Sequence, residues 1–137
     1  MKNAADVFWT DLAEDIKDPR ILREYVIESV RIAAIDDMIN AIDEARVAAG
    51  LSKAALARAI NQEPAVIRRL FSAESRNPTL GTLAEVAAAL GLRITVEPLA
   101  AEDRDFITSP LLEGVVPDRE ALAARLSRRG SGRVVSV

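Results

Sequence analysis

Five basic side chains lie in one short part of this sequence, between residues 53 and 77, with an asparagine after the last. They are Lys53, Arg58, Arg68, Arg69 and Arg76, followed by Asn77. Ammonium and guanidinium groups bind phosphate, and an arginine can also bond the O6 and N7 atoms of guanine together. These side chains could therefore bind a nucleic acid. The alternative is that each is an ordinary solvated charge on a helix surface.

The sequence lacks the residues of several other kinds of site. It contains no cysteine and no histidine, which excludes disulfides, thiolate nucleophiles, imidazole bases and Cys/His zinc sites. Asp36 with Asp37, and Asp43 with Glu44, resemble acid/base pairs, but adjacent residues of a helix point in different directions. No nucleophile, metal-ligand spacing or glycine-rich phosphate loop accompanies them. We expect no enzyme activity, no catalytic residue, no metal and no cofactor.

The composition predicts a mainly α-helical protein on which any nucleic-acid surface is local. Half of its 137 residues are hydrophobic, only 4% are aromatic, and the formal net charge is -3. A core of alanine, leucine, isoleucine and valine favours helices, while the acidic balance argues against general binding of polyanions. No stretch approaches the ~20 apolar residues of a membrane span, and the N-terminus does not read as a signal peptide. We expect a cytoplasmic protein with no membrane partner.

Two short helices joined by a tight turn carry most of the basic residues. Ser52 can cap the first helix, Asn61 can take the left-handed conformation of the turn, and Pro64 can begin the second helix. The apolar residues that mark the two helices at helical spacing are Leu51, Leu56, Ile60, Val66, Ile67 and Leu70. This pattern predicts a helix-turn-helix motif.

Further helices are predicted on both sides of the motif. Residues 3 to 17 form an amphipathic stripe, and residues 19 to 49 continue a helical pattern that Gly50 ends. Because the second run is long, we expect a break between Ser29 and Asp36. Thr79 can cap a helix that closes at Gly91. The adjacent aromatic residues Phe8 and Trp9 cannot both face one stripe, so we expect one of them to contact a partner.

One short β-strand is predicted after the last of these helices. Residues 92 to 97 alternate apolar and polar side chains, and Pro98 ends the run. A single strand needs a partner, which could be the tail, a second subunit or the sheet of another protein. We favour the second subunit, which makes Leu92, Ile94 and Val96 dimer-interface residues. In the tail, only residues 118 to 129 predict a helix, and residues 130 to 137 are expected to be flexible.

These elements resemble the Xre/Cro-type helix-turn-helix family and, within it, HigA-type antitoxins of toxin–antitoxin systems. The runs that carry the resemblance are ARVAAGLSKAALARAINQEPAVIRRLF, the following RNPTLGTLAEVAAALGLRITVEPL, and the upstream leader DLAEDIKDPRILREYVIESV. The resemblance implies a lambda-repressor-like five-helix bundle, with Ala57 where the motif helices touch and Ile67 buried. It divides the chain into an N-terminal helical extension (1–34), the helix-turn-helix domain (35–91), a dimerisation strand (92–99) and a partly flexible C-terminal extension (100–137).

The resemblance also assigns roles to the candidate side chains. Arg69 falls on a recognition-helix position that points into the major groove, while Lys53 and Arg76 should meet phosphates. Arg68 lies one residue away from the groove-facing position and fits a surface charge equally well. The candidate DNA-binding residues are Lys53, Arg58, Pro64, Ala65, Arg68, Arg69, Arg76 and Asn77.

The sequence departs from the family's pattern in three places. Asn61 replaces the usual turn glycine, and Lys53 stands where glutamine is common. The third departure is the run from Gln62 to Ala65, where relatives usually present polar, base-reading side chains. Pro64 and Ala65 offer only apolar contact to a thymine methyl group. Base readout by this helix is therefore expected to be sparse.

The resemblance implies a homodimeric repressor that binds an inverted-repeat operator in double-stranded DNA. As an antitoxin, it would also neutralise a RelE-like ribonuclease toxin and repress its own operon. Two alternatives remain open at this point. One is a stand-alone Xre-family regulator without a toxin, and the other is a protein-interaction adaptor that has lost DNA binding.

Overall fold

The computed structural model describes residues 4–72 and 77–130, and the side chains of residues 10–72 and 77–126. The predicted mainly α class is confirmed, since the regular secondary structure of these residues is entirely helical. The helices in the described ranges are α1 (Ala4–Asp15), α2 (Pro19–Ala48), α3 (Lys53–Ala59), α4 (Pro64–Leu70), α5 (Leu80–Ala89), α6 (Ala101–Phe106), α7 (Thr108–Glu113) and α8 (Arg119–Gly130).

The described residues divide into two units, each with its own apolar core. The central unit is Ala34–Glu97, and the terminal unit comprises the described parts of Met1–Ala33 and Pro98–Val137. The central unit contains the motif with most of the candidate DNA contacts. The terminal unit combines the N-terminal helices with the tail.

Helix α2 is continuous over 30 residues, so the predicted break between Ser29 and Asp36 is wrong. The run from Arg20 to Ala49 contains neither glycine nor proline, the two residues that most readily interrupt a helix. Its length alone was a poor reason to expect a break. Despite that length, neither α2 nor another helix in the described part of the chain is long and apolar enough to cross a membrane.

The core of the terminal unit joins the N-terminal helices to α8. Leu12 of α1 and Ile16, just after that helix, are buried together with Leu22 and Val26 of α2, and Leu122 of α8 joins the same cluster. Beside this core, the ammonium of exposed Lys17 lies 2.7 Å from the carboxylate of Glu14 and lowers the pKa of Glu14. The predicted amphipathic stripe of the first helix therefore packs within its own chain. The side chains of Phe8 and Trp9 lie outside the described residues.

The tail contains two helices that the sequence did not predict, α6 and α7. Pro110 lies within α7, but in its first turn, where a backbone N–H would lack a helical partner in any case. The guanidinium of Arg125 in α8 pairs with the carboxylate of Asp103 and lies 4.8 Å from the ring centre of Phe106, so α6 is held against α8. The predicted helix at 118–129 is confirmed as α8. The carboxylate of Asp118 caps its first turn by accepting a hydrogen bond from Ala121 N. Residues 131–137 lie outside the described residues.

Gly114 forms the close contact that ends α7 beside the start of α2. Its φ is +73°, and a Cβ placed on it would lie 3.0 Å from Nη2 of Arg23 and 3.1 Å from Cβ of Pro19. The same arginine donates from Nε to the carbonyl of Leu111 at 3.1 Å. Both the backbone conformation and the available space therefore call for glycine here.

The predicted strand at residues 92–97 is not confirmed, because no strand occurs in the described residues. A strand is defined by backbone hydrogen bonds to a neighbouring strand, and residues 4–72 and 77–130 supply no such neighbour. The described residues of the central unit also contain four helical segments rather than the predicted five: the end of α2, α3, α4 and α5. A fifth does not follow Gly91, since β-branched Ile94, Thr95 and Val96 lead into Pro98.

We expect Gly114→Ala to lower the free energy of unfolding by about 1–2 kcal/mol, because alanine must adopt positive φ against Arg23. Gly81→Ala is the matched control. Gly81 lies in the first turn of α5, and the nearest atom to an added Cβ there is 3.9 Å away. That change should leave stability unchanged or raise it by up to about 1 kcal/mol. Urea denaturation followed by circular dichroism measures both, and equal stabilities would contradict this account of Gly114.

Candidate nucleic-acid interface

Close packing of α3 against α4 positions the candidate site. Leu56 and Ala57 of α3 and Ile67 of α4 are completely buried, and Leu70 is nearly so. They share the core of the central unit with buried residues of α2 and α5. The small side chain of Ala57 allows the two helices to approach closely, as expected from the sequence. The opposite sides of both helices remain exposed.

Helix α3 begins where the sequence predicts. The side-chain oxygen of Ser52 accepts a hydrogen bond from Ala55 N at 3.0 Å, which satisfies one of the free N–H groups of the first turn. Lys53 is the first residue of the helix. Its side chain is thereby held at the N-terminal end of α3.

Asn61 makes the turn between the two helices. Its φ of +57° is left-handed, which asparagine tolerates better than other residues with a Cβ. Asn61 N donates to Arg58 O at 3.2 Å, and Gln62 N donates to Ala57 O at 2.9 Å. These two bonds form the Schellman arrangement that ends many helices, usually with glycine at the left-handed position. The predicted role of Asn61 is confirmed.

Helix α4 exposes one side that carries two arginines. Pro64 is its first residue, as predicted, and Ala65, Arg68 and Arg69 are all exposed. Positions three and four apart lie on the same side of an α-helix, so these three residues share one face, opposite buried Ile67. Arg68 is therefore as exposed as Arg69. Exposure alone does not choose between the two interpretations of Arg68.

The ring of Phe71, just after α4, lies close to two cations. Nζ of Lys53 is 5.8 Å from the ring centre, and Cζ of Arg46 is 5.5 Å from it. Arg46 is already engaged, because it pairs with Asp43 at 2.8 Å and donates to Leu51 O at 2.9 Å. Lys53 has an exposed side chain and makes only the ring contact among the described residues. The ring therefore places the ammonium of Lys53 near the C-terminal end of α4.

The remaining candidates do not all gather on one face. Arg58 is exposed on α3, but it lies five residues after Lys53, a rotation of about 140° around the helix. Asn77 is exposed in the loop before α5, whose N-cap is Thr79, with its side-chain oxygen 3.1 Å from Thr82 N. Arg76 lies outside the described residues.

The motif is locally basic on a chain with a negative net charge. From Ser52 to Ser72 it carries four basic residues and one acidic residue, Glu63. Within the described residues, no hydrogen bond or ion pair engages the guanidinium groups of Arg58, Arg68 and Arg69. All three side chains are exposed, so an external anion such as phosphate can reach them.

Two contributions to this surface were missed by sequence reasoning. Phe71 is not among the predicted site residues, and its contact with Lys53 depends on the fold rather than on spacing. Gln62 is not among the predicted DNA contacts either, yet its amide is exposed just before α4. An amide can bond the N6 and N7 atoms of adenine, which is a signal available in the sequence.

Comparison with known proteins identifies this region. Residues 42–96 match the helix-turn-helix family, whose members are DNA-binding regulators. These residues form an Xre/Cro-type helix-turn-helix domain. The domain covers the end of α2 and helices α3 to α5. No curated protein and no solved structure is significantly similar to the chain.

We expect Asn61→Ala to lower the free energy of unfolding by about 1 kcal/mol and Asn61→Gly to preserve or slightly raise it, since only the alanine is strained at positive φ. Urea denaturation of the three proteins measures the difference. If the alanine and glycine variants were equally stable, the left-handed turn would not be maintained in solution.

Proposed function

We propose that this chain is a sequence-specific DNA-binding transcription regulator whose helix α4 enters the major groove. The observation that carries the proposal is the exposed face of α4, on a domain that matches the helix-turn-helix family. Arg68 and Arg69 of this face have no hydrogen-bond or ion-pair partner among the described residues. Arg69 bonds O6 and N7 of a guanine, as its place in the motif implies. Pro64 and Ala65, at the start of the same helix, supply apolar contact to thymine methyl groups.

The other basic residues position the domain on the DNA backbone. Lys53 meets a phosphate from the N-terminal end of α3, supported by its exposure and its position over Phe71. Arg58, Arg76 and Asn77 complete the proposed backbone contacts. Since the net charge of the chain is negative, this local surface must supply most of the attraction to DNA.

We further propose that the protein binds an inverted repeat as a homodimer and is the antitoxin of a type II toxin–antitoxin pair. The support for the antitoxin role is the resemblance of the motif and of the leader at residues 11–30 to HigA-type antitoxins. In this role the chain neutralises a RelE-like ribonuclease and represses its own operon. The competing functions are a stand-alone regulator and an adaptor without DNA binding.

We expect Arg69→Ala to weaken binding to the preferred DNA sequence by about 1–3 kcal/mol and to relax the preference at one base pair. Lys53→Ala should instead weaken all DNA similarly and reduce the slope of log K against log salt by about 1. Arg20→Ala changes an exposed arginine outside the motif and should have little effect. The measurement is fluorescence anisotropy on a duplex selected from a random pool and on a scrambled duplex.

Each result of that experiment has a defined meaning. Equal losses for Arg69→Ala on both duplexes would make Arg69 a phosphate contact rather than a base contact. If no duplex were selected from the pool, the DNA-binding function itself would be rejected in favour of the adaptor.

The antitoxin role predicts that the product of an adjacent gene arrests growth when expressed alone and that co-expression of this chain restores growth. Arg69→Ala should restore growth equally well, because neutralisation is a protein contact that does not need base readout. Loss of rescue in that variant would indicate that neutralisation depends on DNA binding. Absence of any arrest by either neighbouring gene product would favour the stand-alone regulator.

A further inference from the structure

The segment from Arg93 to Glu97 has an unused hydrogen-bonding backbone. Leu92 N still donates to Ala87 O at 2.8 Å, at the end of α5. Beyond it, the backbone groups of residues 93–97 make no hydrogen bond within the described chain. Such a row of donors and acceptors is what an added strand requires.

The apolar side chains of this segment are only partly covered. Ile94 packs against the core of the central unit, whereas Val96 is completely exposed and Leu92 is 42% exposed. In an extended chain, residues 92, 94 and 96 lie on one face and residues 93, 95 and 97 on the other. One face is therefore apolar and begins at the core, while the other carries Arg93, Thr95 and Glu97.

The charges of the segment are complementary to those of a second copy of itself. Arg93 and Glu97 stand two residues before and two residues after Thr95, and both are exposed. We propose that residues 93–97 pair antiparallel with the same segment of a second copy, with the two-fold axis passing beside Thr95. The inference rests on the proposed function for the existence of a dimer and specifies its interface.

This register forms favourable side-chain pairs on both faces of the strand pair. Arg93 lies opposite Glu97 of the partner subunit, and the symmetry repeats this ion pair. Ile94 lies opposite Val96 of the partner subunit, so each fully exposed valine gains a β-branched neighbour on the core side. Pro98 lacks an N–H and ends the ladder.

Other registers lose these contacts. A shift of two residues places Arg93 opposite Thr95 or Leu99, and neither can form an ion pair. A shift of one residue would place apolar side chains opposite polar ones across the sheet. A parallel pair in register would set each Arg93 beside its own copy, which is repulsive. The antiparallel register about Thr95 is therefore favoured by charge as well as by shape.

Charge exchange in solution, without DNA, tests the pairing. The wild type should be a dimer in analytical ultracentrifugation, and R93E or E97R alone should raise the dimer dissociation constant more than about tenfold, because two attractive pairs become repulsive. An equimolar mixture of R93E and E97R should dimerise again, as should the double variant R93E/E97R. Each changed side chain is exposed, so circular dichroism should report an unchanged fold.

Cysteine cross-linking tests the position of the axis in a chain that has no cysteine of its own. Residues directly opposite in an antiparallel pair have Cα atoms about 4.5–5.5 Å apart, within the range of a disulfide. Thr95→Cys should therefore form a dimer disulfide quickly under mild oxidation. Val96→Cys is the control, since its two copies would be about 8 Å apart despite the greater exposure of this position.

Several outcomes would overturn the proposal. They are a monomeric wild type, single charge variants that dimerise like the wild type, a mixture that stays monomeric, or cross-linking of Val96→Cys as fast as Thr95→Cys. Binding of one selected half-site by the R93E monomer, measured separately, distinguishes the two failures. If selective DNA binding persists while these tests fail, the proposed function stands and only the interface is wrong.

Discussion

The exposed face of α4 depends on the close approach of α3 and α4, which Ala57 and Ile67 make possible. Both side chains are completely buried in one cluster, so the relative position of the two helices is determined by packing rather than by a polar contact. A larger residue in place of Ala57 would push α4 outwards, since a close-packed interior has little spare volume. Any shift of α4 would move Arg68 and Arg69 together. The positions of these two arginines on the surface therefore depend on apolar packing beneath them.

The parts of the fold that were predictable from the sequence follow from local rules. Ser52 and Thr79 cap helices because a hydroxyl can accept a bond from the free N–H groups of a first turn. Asn61 and Gly91 end helices because both tolerate a left-handed backbone. Each of these helix beginnings and ends depends only on residues that are close together in the sequence. The candidate arginines of α4 were chosen by residue type, and the family resemblance assigned Arg69 its role.

The parts that were missed depend on contacts between distant residues. Helix α6 is short and highly charged. It is held in place by the ion pair between Asp103 and Arg125, which no local sequence pattern predicts. Pro110 is a residue type that usually breaks a helix, and its place within the first turn of α7 depends on where that helix begins. At the candidate site, the contact between Phe71 and Lys53 joins the start of one helix to the end of another.

That aromatic contact also affects the entropy of binding. A free lysine side chain samples many rotamers, and fixing it on a ligand costs up to about 2 kcal/mol of conformational entropy. The Lys53 ammonium is attracted to the face of Phe71 by about 0.5–1 kcal/mol at an exposed site. This attraction reduces the number of rotamers that Lys53 samples before any phosphate binds. Part of the ordering cost of the contact is thereby met in the free protein. A partly buried aromatic residue that packs against the core thus helps to preorganise a charge on the surface.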